Sequence, residues 1–438
     1  MGHIYFDDDG GGQPDGAPAP PQLQPPPGSG AVAGAPPAAG PRFAACCARA
    51  RVDYNAADPC YVFKAVVAPD GGCVAAALSN HALKLFAAAP GGLAHVGDIA
   101  AHAGTISDVQ FPFAELPHAL YSCSRDGTVA GWDLRTRAQA ESYRAGNQEL
   151  YAFAVSDGLV AAGGQGDVHF WDRRSAKRLA SFDDMHMDDV TQVRFHAPSR
   201  KLLTASQDGL VAVHDLASGL NQDDGFIAAL NVGTSVEELG LYGPGETRLW
   251  CRTGTETLQL WDWLAATDEA APGGDMAVAD LTEARSMAAA AAAGGSAAGL
   301  LGEVGYLVGC HYDAATQQLL LVAGTTGGAV AFWPVAEAAA RGGGLPPGAN
   351  LLQPPAVVLS GVHRDVVRSV ECFAGAAAAR LLCVSAGEDA QLGLWTLDGE
   401  TAAAAVASSS KDSADSGGPS RRPAAAQGGS APARRSPY

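Results

Sequence analysis

Three stretches of the chain each carry a histidine, a hydroxyl side chain and an aspartate at similar spacing: His102, Ser122 and Asp126; His186, Thr204 and Asp208; His363, Ser385 and Asp389. Those are the parts of a hydrolase triad, in which a base draws the proton from a hydroxyl nucleophile and a carboxylate holds the base. A hydrolase needs one such trio, whereas this one recurs, and no GxSxG elbow accompanies it to present a nucleophile on a sharp turn. Recurrence points instead to buried polar groups that must find partners inside each repeat. DDMHMDD at 183–189 mixes imidazole and carboxylates as a metal site would, but His186 already belongs to a recurring trio. The acids Asp183, Asp184, Asp188 and Asp189 then read as a solvated surface loop. No catalytic residue, metal ligand or cofactor site is expected.

The elements that position these residues show as short alternating apolar runs, each closing on an aromatic or histidine: LKLF at Phe86, GWDL at Trp132, FWDR at Trp171, VHDL at His214, LWDW at Trp261, FWPV at Trp333 and LWTL at Trp395. Short strands between turns, repeating about every 40–50 residues, are the signature of propeller blades, so seven anchors predict seven blades. SRDGTV, SQDGLV and GEDAQL supply tight turns at Asp126, Asp208 and Asp389, each six residues before its anchor. Two anchor spacings are wide, 72 and 62 residues. They hold Ala-, Gly- and Pro-rich stretches at 265–303 and 336–355, read as loop insertions; without them, segment 43–397 leaves about 42 residues per blade, as a four-stranded blade requires. The Ala run offers a short helix outside the ring, with Asp280 as its N-cap and Glu283 three residues on.

Residues 1–42 are a Gly/Pro-rich leader and 398–438 a Ser/Ala/Pro-rich tail carrying Arg421, Arg422, Arg434 and Arg435; both bury too little apolar surface to offset chain entropy and are expected to be disordered. The net charge of −18 disfavours direct contact with nucleic acid and favours basic protein partners. The nine cysteines show no CxxC and no repeating spacing, so they read as reduced, buried thiols. The start MGHIYFDDDG lacks the basic and apolar regions of a signal peptide, and Phe6 and Asp7 do not fit a myristoylation motif. The expectation is a cytoplasmic or nuclear protein with no membrane contact.

The strings GWDL, FWDR and LWDW, with the Asp turns before several anchors, resemble the WD40-repeat family. That resemblance implies an all-β, seven-bladed propeller in which His, Ser or Thr, turn Asp and Trp form a buried hydrogen-bonded chain. Carried over, the chain comprises His102, Ser122, Asp126 and Trp132; His363, Ser385, Asp389 and Trp395; and His186, Thr204 and Asp208, where His214 replaces the Trp. Asn80, Gln165, Thr255 and Gly327 stand at the turn position elsewhere, so those blades must rely on apolar packing. The stretches DDVTQVRFHAPSRKLLTASQDGLVAVHD, SVEELGLYG, ETLQLWD, YLVGCHYDAATQQLLLVAGTTGGAVAFW and HRDVVRSVECF resemble the WD repeat-containing protein 89 branch over most of 184–397.

Two blades end in W-D-x-R: Trp132, Asp133, Leu134, Arg135 and Trp171, Asp172, Arg173, Arg174. In this family such a sequence resembles the box by which substrate receptors dock on a cullin-RING ubiquitin ligase adaptor, with Arg135 and Arg174 as contacts; it also arises wherever a third strand runs into a polar turn. The acidic loops at 183–189 and at Asp223 and Asp224 suggest instead a scaffold in a nuclear or ribosome-assembly complex. The expectation is a non-catalytic protein-interaction platform, a monomeric ring within a larger complex.

Overall fold

A computed structural model describes residues 40–52, 60–89, 92–267, 277–336, 351–374 and 381–397. It is a seven-bladed β-propeller. Blade one comprises Val62–Val67, Cys73–Leu78, Ala82–Ala89 and Gly92–Ala100, paired antiparallel in that order. Blades two to five repeat the pattern, blade six adds a fifth strand, and all seven anchors fall on third strands. The first strand of each blade lies against the axis, and these strands touch their neighbours in an unbroken circle from blade one to blade seven and back.

The sequence folds this way because the middle strands of a blade are covered on both faces. CVAAAL (73–78), KLLTAS (201–206) and LLCVSAG (381–387) are nearly continuous runs of apolar and small residues, with almost every side chain buried. The core is accordingly not one cluster but one per seam between blades. Val74 and Phe86 of blade one meet Val384 and Leu392 of blade seven, for example, while Phe170 and Phe182 of blade three meet Val193 and Leu202 of blade four.

Closure uses the start of the described chain. Ala45–Arg51 is the outer strand of blade seven, antiparallel to Gln391–Thr396 with Cys46 opposite Trp395. Just before it, Arg42–Phe43 runs parallel to Val357 and Val358 of blade six. Arg42 is therefore part of the ring rather than of the leader expected over 1–42. The rest of that leader, 1–39, and the whole tail, 398–438, lie outside the described residues.

The insertions also differ from expectation. Ala277–Leu281, inside 265–303, is the outer strand of blade five, so only part of that stretch is extra. Asp280 sits in this strand opposite Gln259 and accepts from the Thr282 hydroxyl; it caps no helix. The helix begins later, at Ala284–Ala292, preceded by Glu283. Nor is it a decoration outside the ring: Ala284, Ala288 and Ala292, one face of the helix at four-residue steps, are buried in the seam between blades five and six. Methyl side chains let the helix approach closely enough for the Trp333 indole N–H to donate to the Ala288 carbonyl at 3.1 Å. In 336–355, residues 337–350 lie outside the described residues, but Leu351 and Leu352 are buried in the same seam and Leu352 bridges to Val335.

If the 42–51 segment closes the ring, deleting residues 1–40 should leave the thermal midpoint nearly unchanged, while deleting 1–52 should lower it sharply and expose the Gln391–Thr396 edge. Equal midpoints for the two truncations would show that the ring holds without that strand.

Candidate functional site

In blade two, Ser122 lies on the second strand and Trp132 on the third, while Asp126 occupies the turn between them. The turn demands a left-handed residue after the Asp: Gly127 has φ 78°, and a Cβ there would come 2.7 Å from the Gln148 carbonyl oxygen. His102 enters on the link from blade one. Its Nε2 is 2.7 Å from Ser122 Oγ and its Nδ1 is 3.1 Å from Asp126, while the Trp132 indole donates to Ser122 Oγ at 2.9 Å. Blade seven repeats this with His363 2.7 Å from Ser385 and 3.0 Å from Asp389, and Trp395 donating to Ser385 at 2.8 Å. Blade four places His186 2.9 Å from Thr204 and 3.0 Å from Asp208. Each Asp also accepts the backbone N–H just after the histidine, from Ala103, Met187 and Arg364 respectively. The aspartate thus ties the interblade link to the turn of the next blade.

The chemistry of this chain is structural. Ser122 and Ser385 are fully buried, and each hydroxyl accepts from an indole, so its proton points to the imidazole. Burial holds His102 and His186 below the ordinary histidine range despite the Asp beside each. Burial would raise Asp126 and Asp208, but their hydrogen bonds outweigh it and keep both carboxyls low. With Ser122, Thr204 and Ser385 all fully buried, the hydroxyl that each histidine faces is shut away from solvent, and the chain serves to hold strand, turn and link together.

Elsewhere the partners change. Cys251 stands ten residues before Trp261, where Ser122 and Ser385 stand before their indoles, and the buried Trp261 Nε1 has no partner. His214 is buried against Phe182 and Phe226, with Nδ1 unpartnered, and burial depresses its imidazole to about 4.

The candidate partner-binding residues fall on two faces. Links and second-to-third-strand turns share one end of the strands, and Asp184, Asp188 and Asp189 belong there. Asp184 N–H donates to the turn residue Asp167, Asp188 accepts from Asp189 N–H, and Asp189 lines the axial mouth with its carboxyl raised by burial. Asp183 is pinned to Gln222 of the next blade. The W-D-x-R turns lie at the opposite end. Arg135 makes a two-pronged pair with Asp133 of its own turn, and Asp172 accepts from Ser175. Arg174 neighbours Asp172, whereas the preceding Arg173 turns inward over the Phe113 ring and reaches Tyr121 and Glu141. The two motif aspartates are thus satisfied differently, Asp133 by the side chain of Arg135 and Asp172 by Ser175.

Sequence reasoning missed the axis. A cavity of about 430 Å³ there is lined by polar residues, among them Lys64, Asp108, Glu238 and Glu371 of first strands and Arg252 of the second strand of blade five. Lys64 pairs with Asp108 at 2.6 Å and Arg252 with Glu238 at 3.4 Å, while burial raises Glu371 to about 7. The signal was polar residues interrupting first strands, as in ISDVQ, VEELGLY and VRSVECFA. Among the described residues no metal-binding group of His, Cys, Asp and Glu is found, and no helix is long and apolar enough to cross a membrane.

Two measurements probe the polar chain. Ser385→Ala should lower stability by about 1–3 kcal/mol for each group left unpaired, His363 Nε2 and Trp395 Nε1; a neutral result would mean water replaces the hydroxyl. The second concerns His214. The folded protein keeps it neutral down to about 4, while the unfolded chain takes a proton near 6.5, so stability falls as pH drops through that window. His214→Phe should flatten this fall in urea midpoints between pH 7 and 5, and an unchanged slope would assign it to other groups.

Residues 177–215 match the family of the WD domain, G-beta repeat. The chain is 35% identical over 353 residues to WD repeat-containing protein GTS1 of Arabidopsis thaliana, covering 77% of this chain and 81% of that one. It is 28% identical over 352 residues to the WD repeat-containing protein 89 homolog of Dictyostelium discoideum, covering 79% and 85%. A shorter match, 32% over 123 residues, joins 27% of it to 13% of GATOR2 complex protein Wdr59 of Drosophila melanogaster. With seven blades, two of them carrying the whole chain of His, hydroxyl, Asp and Trp, and with likeness running through most of its length, the chain belongs to the WD-repeat family.

Proposed function

We propose that this protein is a non-catalytic scaffold of the cytoplasm or nucleus that grips a basic protein partner on the face carrying the interblade links. The observation that carries this reading is Met187, 91% exposed among the otherwise apolar-poor surface of an acidic loop. The loop is held firmly: Met187 N–H donates to Asp208, and the adjoining His186 side chain is buried against Thr204. An apolar anchor on a rigid support, ringed by Asp184, Asp188 and Asp189, suits a partner that presents an apolar residue among lysines or arginines. The name of the Drosophila relative places that protein in a complex, which agrees with a role in assembly.

A receptor role through W-D-x-R receives less support from the geometry, because Arg135 is already engaged in a two-pronged pair with Asp133 of its own turn. Affinity capture separates the readings. Met187→Glu combined with Asp188→Asn should lose most partners of the intact chain, with retention falling steeply as salt rises, while Arg135→Ala with Arg174→Ala should keep them. Loss of a ligase adaptor from the arginine variant alone would favour the receptor; identical captures from all three chains would overturn both.

A further inference from the structure

The reduced thiols are not equivalent. Cys372 lies on the first strand of blade seven, Val367–Ala374, and Cys383 on the second, Leu381–Gly387, directly opposite each other in the antiparallel register. Residues so opposed have Cα atoms about 4.5–5.5 Å apart, inside the span of about 4.4–6.8 Å that a disulfide bridges. Both are free thiols; Cys383 is fully buried and Cys372 part-exposed. On the neighbouring blade, His311 of Tyr306–Asp313 acts on Cys372 across the seam between blades six and seven, where the two first strands touch.

We propose that Cys372, His311 and Cys383 form a peroxide-responsive dithiol site, with Cys372 as the attacking sulfur, His311 its proton partner and Cys383 the resolving thiol. The electrostatics agree with the geometry. Cys383 and His311 outweigh burial and hold the Cys372 thiol below the ordinary cysteine range, and Cys372 in turn raises His311. Cys383, buried beside that charge, is pushed far up and stays protonated. By contrast, burial raises Cys46, Cys73, Cys123 and Cys251, so none of these offers the thiolate for the first attack on peroxide. Other charged groups at the site are Glu371 and Asp313, both acting on His311, and Cys47, which acts on Cys383.

The chemistry balances with hydrogen peroxide as oxidant. The Cys372 thiolate attacks one peroxide oxygen; the S–O bond forms, the O–O bond breaks, and the departing hydroxide takes the proton of the His311 imidazolium and leaves as water. Cys383 sulfur then attacks the Cys372 sulfur; the S–S bond forms, the S–O bond breaks, and the thiol proton leaves with the hydroxyl as a second water. Two electrons pass from the sulfurs to peroxide.

The test uses the full chain treated with stoichiometric hydrogen peroxide, followed by peptide mapping under non-reducing conditions. The expected product is a Cys372–Cys383 disulfide formed before any other cysteine reacts. Cys383→Ser should halt the reaction at a Cys372 sulfenic acid, captured by dimedone. His311→Gln should slow oxidation of Cys372 at pH 7 by at least about tenfold and move its pH profile upward toward an ordinary thiol near 8.5, with the far-ultraviolet spectrum unchanged. First oxidation at another cysteine in the unaltered chain, or a His311→Gln profile identical to it, would overturn the proposal; because the first comparison needs no substitution, a variant that fails to fold does not blunt it.

Discussion

Ring closure is the constraint on which the rest depends. A blade cannot bury its faces alone, since each apolar cluster is built from the facing walls of two blades. Seven seams therefore stand or fall with the seven-membered circle, and the circle is joined where Ala45–Arg51 lies beside Gln391–Thr396 and Arg42–Phe43 beside Val357–Leu359. Without those two pairings, blade seven would end on an open edge with unpaired backbone donors and acceptors.

Within the closed ring, polar satisfaction is divided unevenly. Blades two and seven carry the whole chain from Asp to indole, and blade four carries all but the indole. Blade six reaches the same end by a different route: the Trp333 indole finds its acceptor in the inserted helix. Blade five has neither device for Trp261, because Cys251 replaces the hydroxyl. The insertion thus supplies the acceptor in a repeat where Ala323, with no hydroxyl, stands ten residues before the indole, and its small side chains let it sit in the seam.

The blade count was legible because each anchor lies on a third strand, and burial on both faces writes a continuous run of apolar and small residues into LLTAS or LLCVSAG whatever the neighbouring loops do. The hydrogen-bonded chains were legible only with the family resemblance, as spacing alone also fits a triad. The outer strand of blade five was hidden because AVADL sits in an Ala-rich context where helix propensity speaks louder than alternation. The axial cavity and the His311–Cys372 contact were beyond reach for another reason. They join residues of different blades, and no local pattern in VGCHYD or VECF says which side chains the curvature of a ring will bring together.

The position of the closing strand also bears on how the molecule comes into being. Residues 45–51 leave the ribosome long before their partner strand, which begins only at residue 391. Throughout synthesis this segment, with Cys46 and Cys47 on it, has no sheet to join, while blades one to six assemble in order behind it. The last step is then a long-range encounter between the two ends of the ring, slow by its loop-closure entropy, and a nascent chain stalled short of blade seven would be an open arc with a sticky edge at each end.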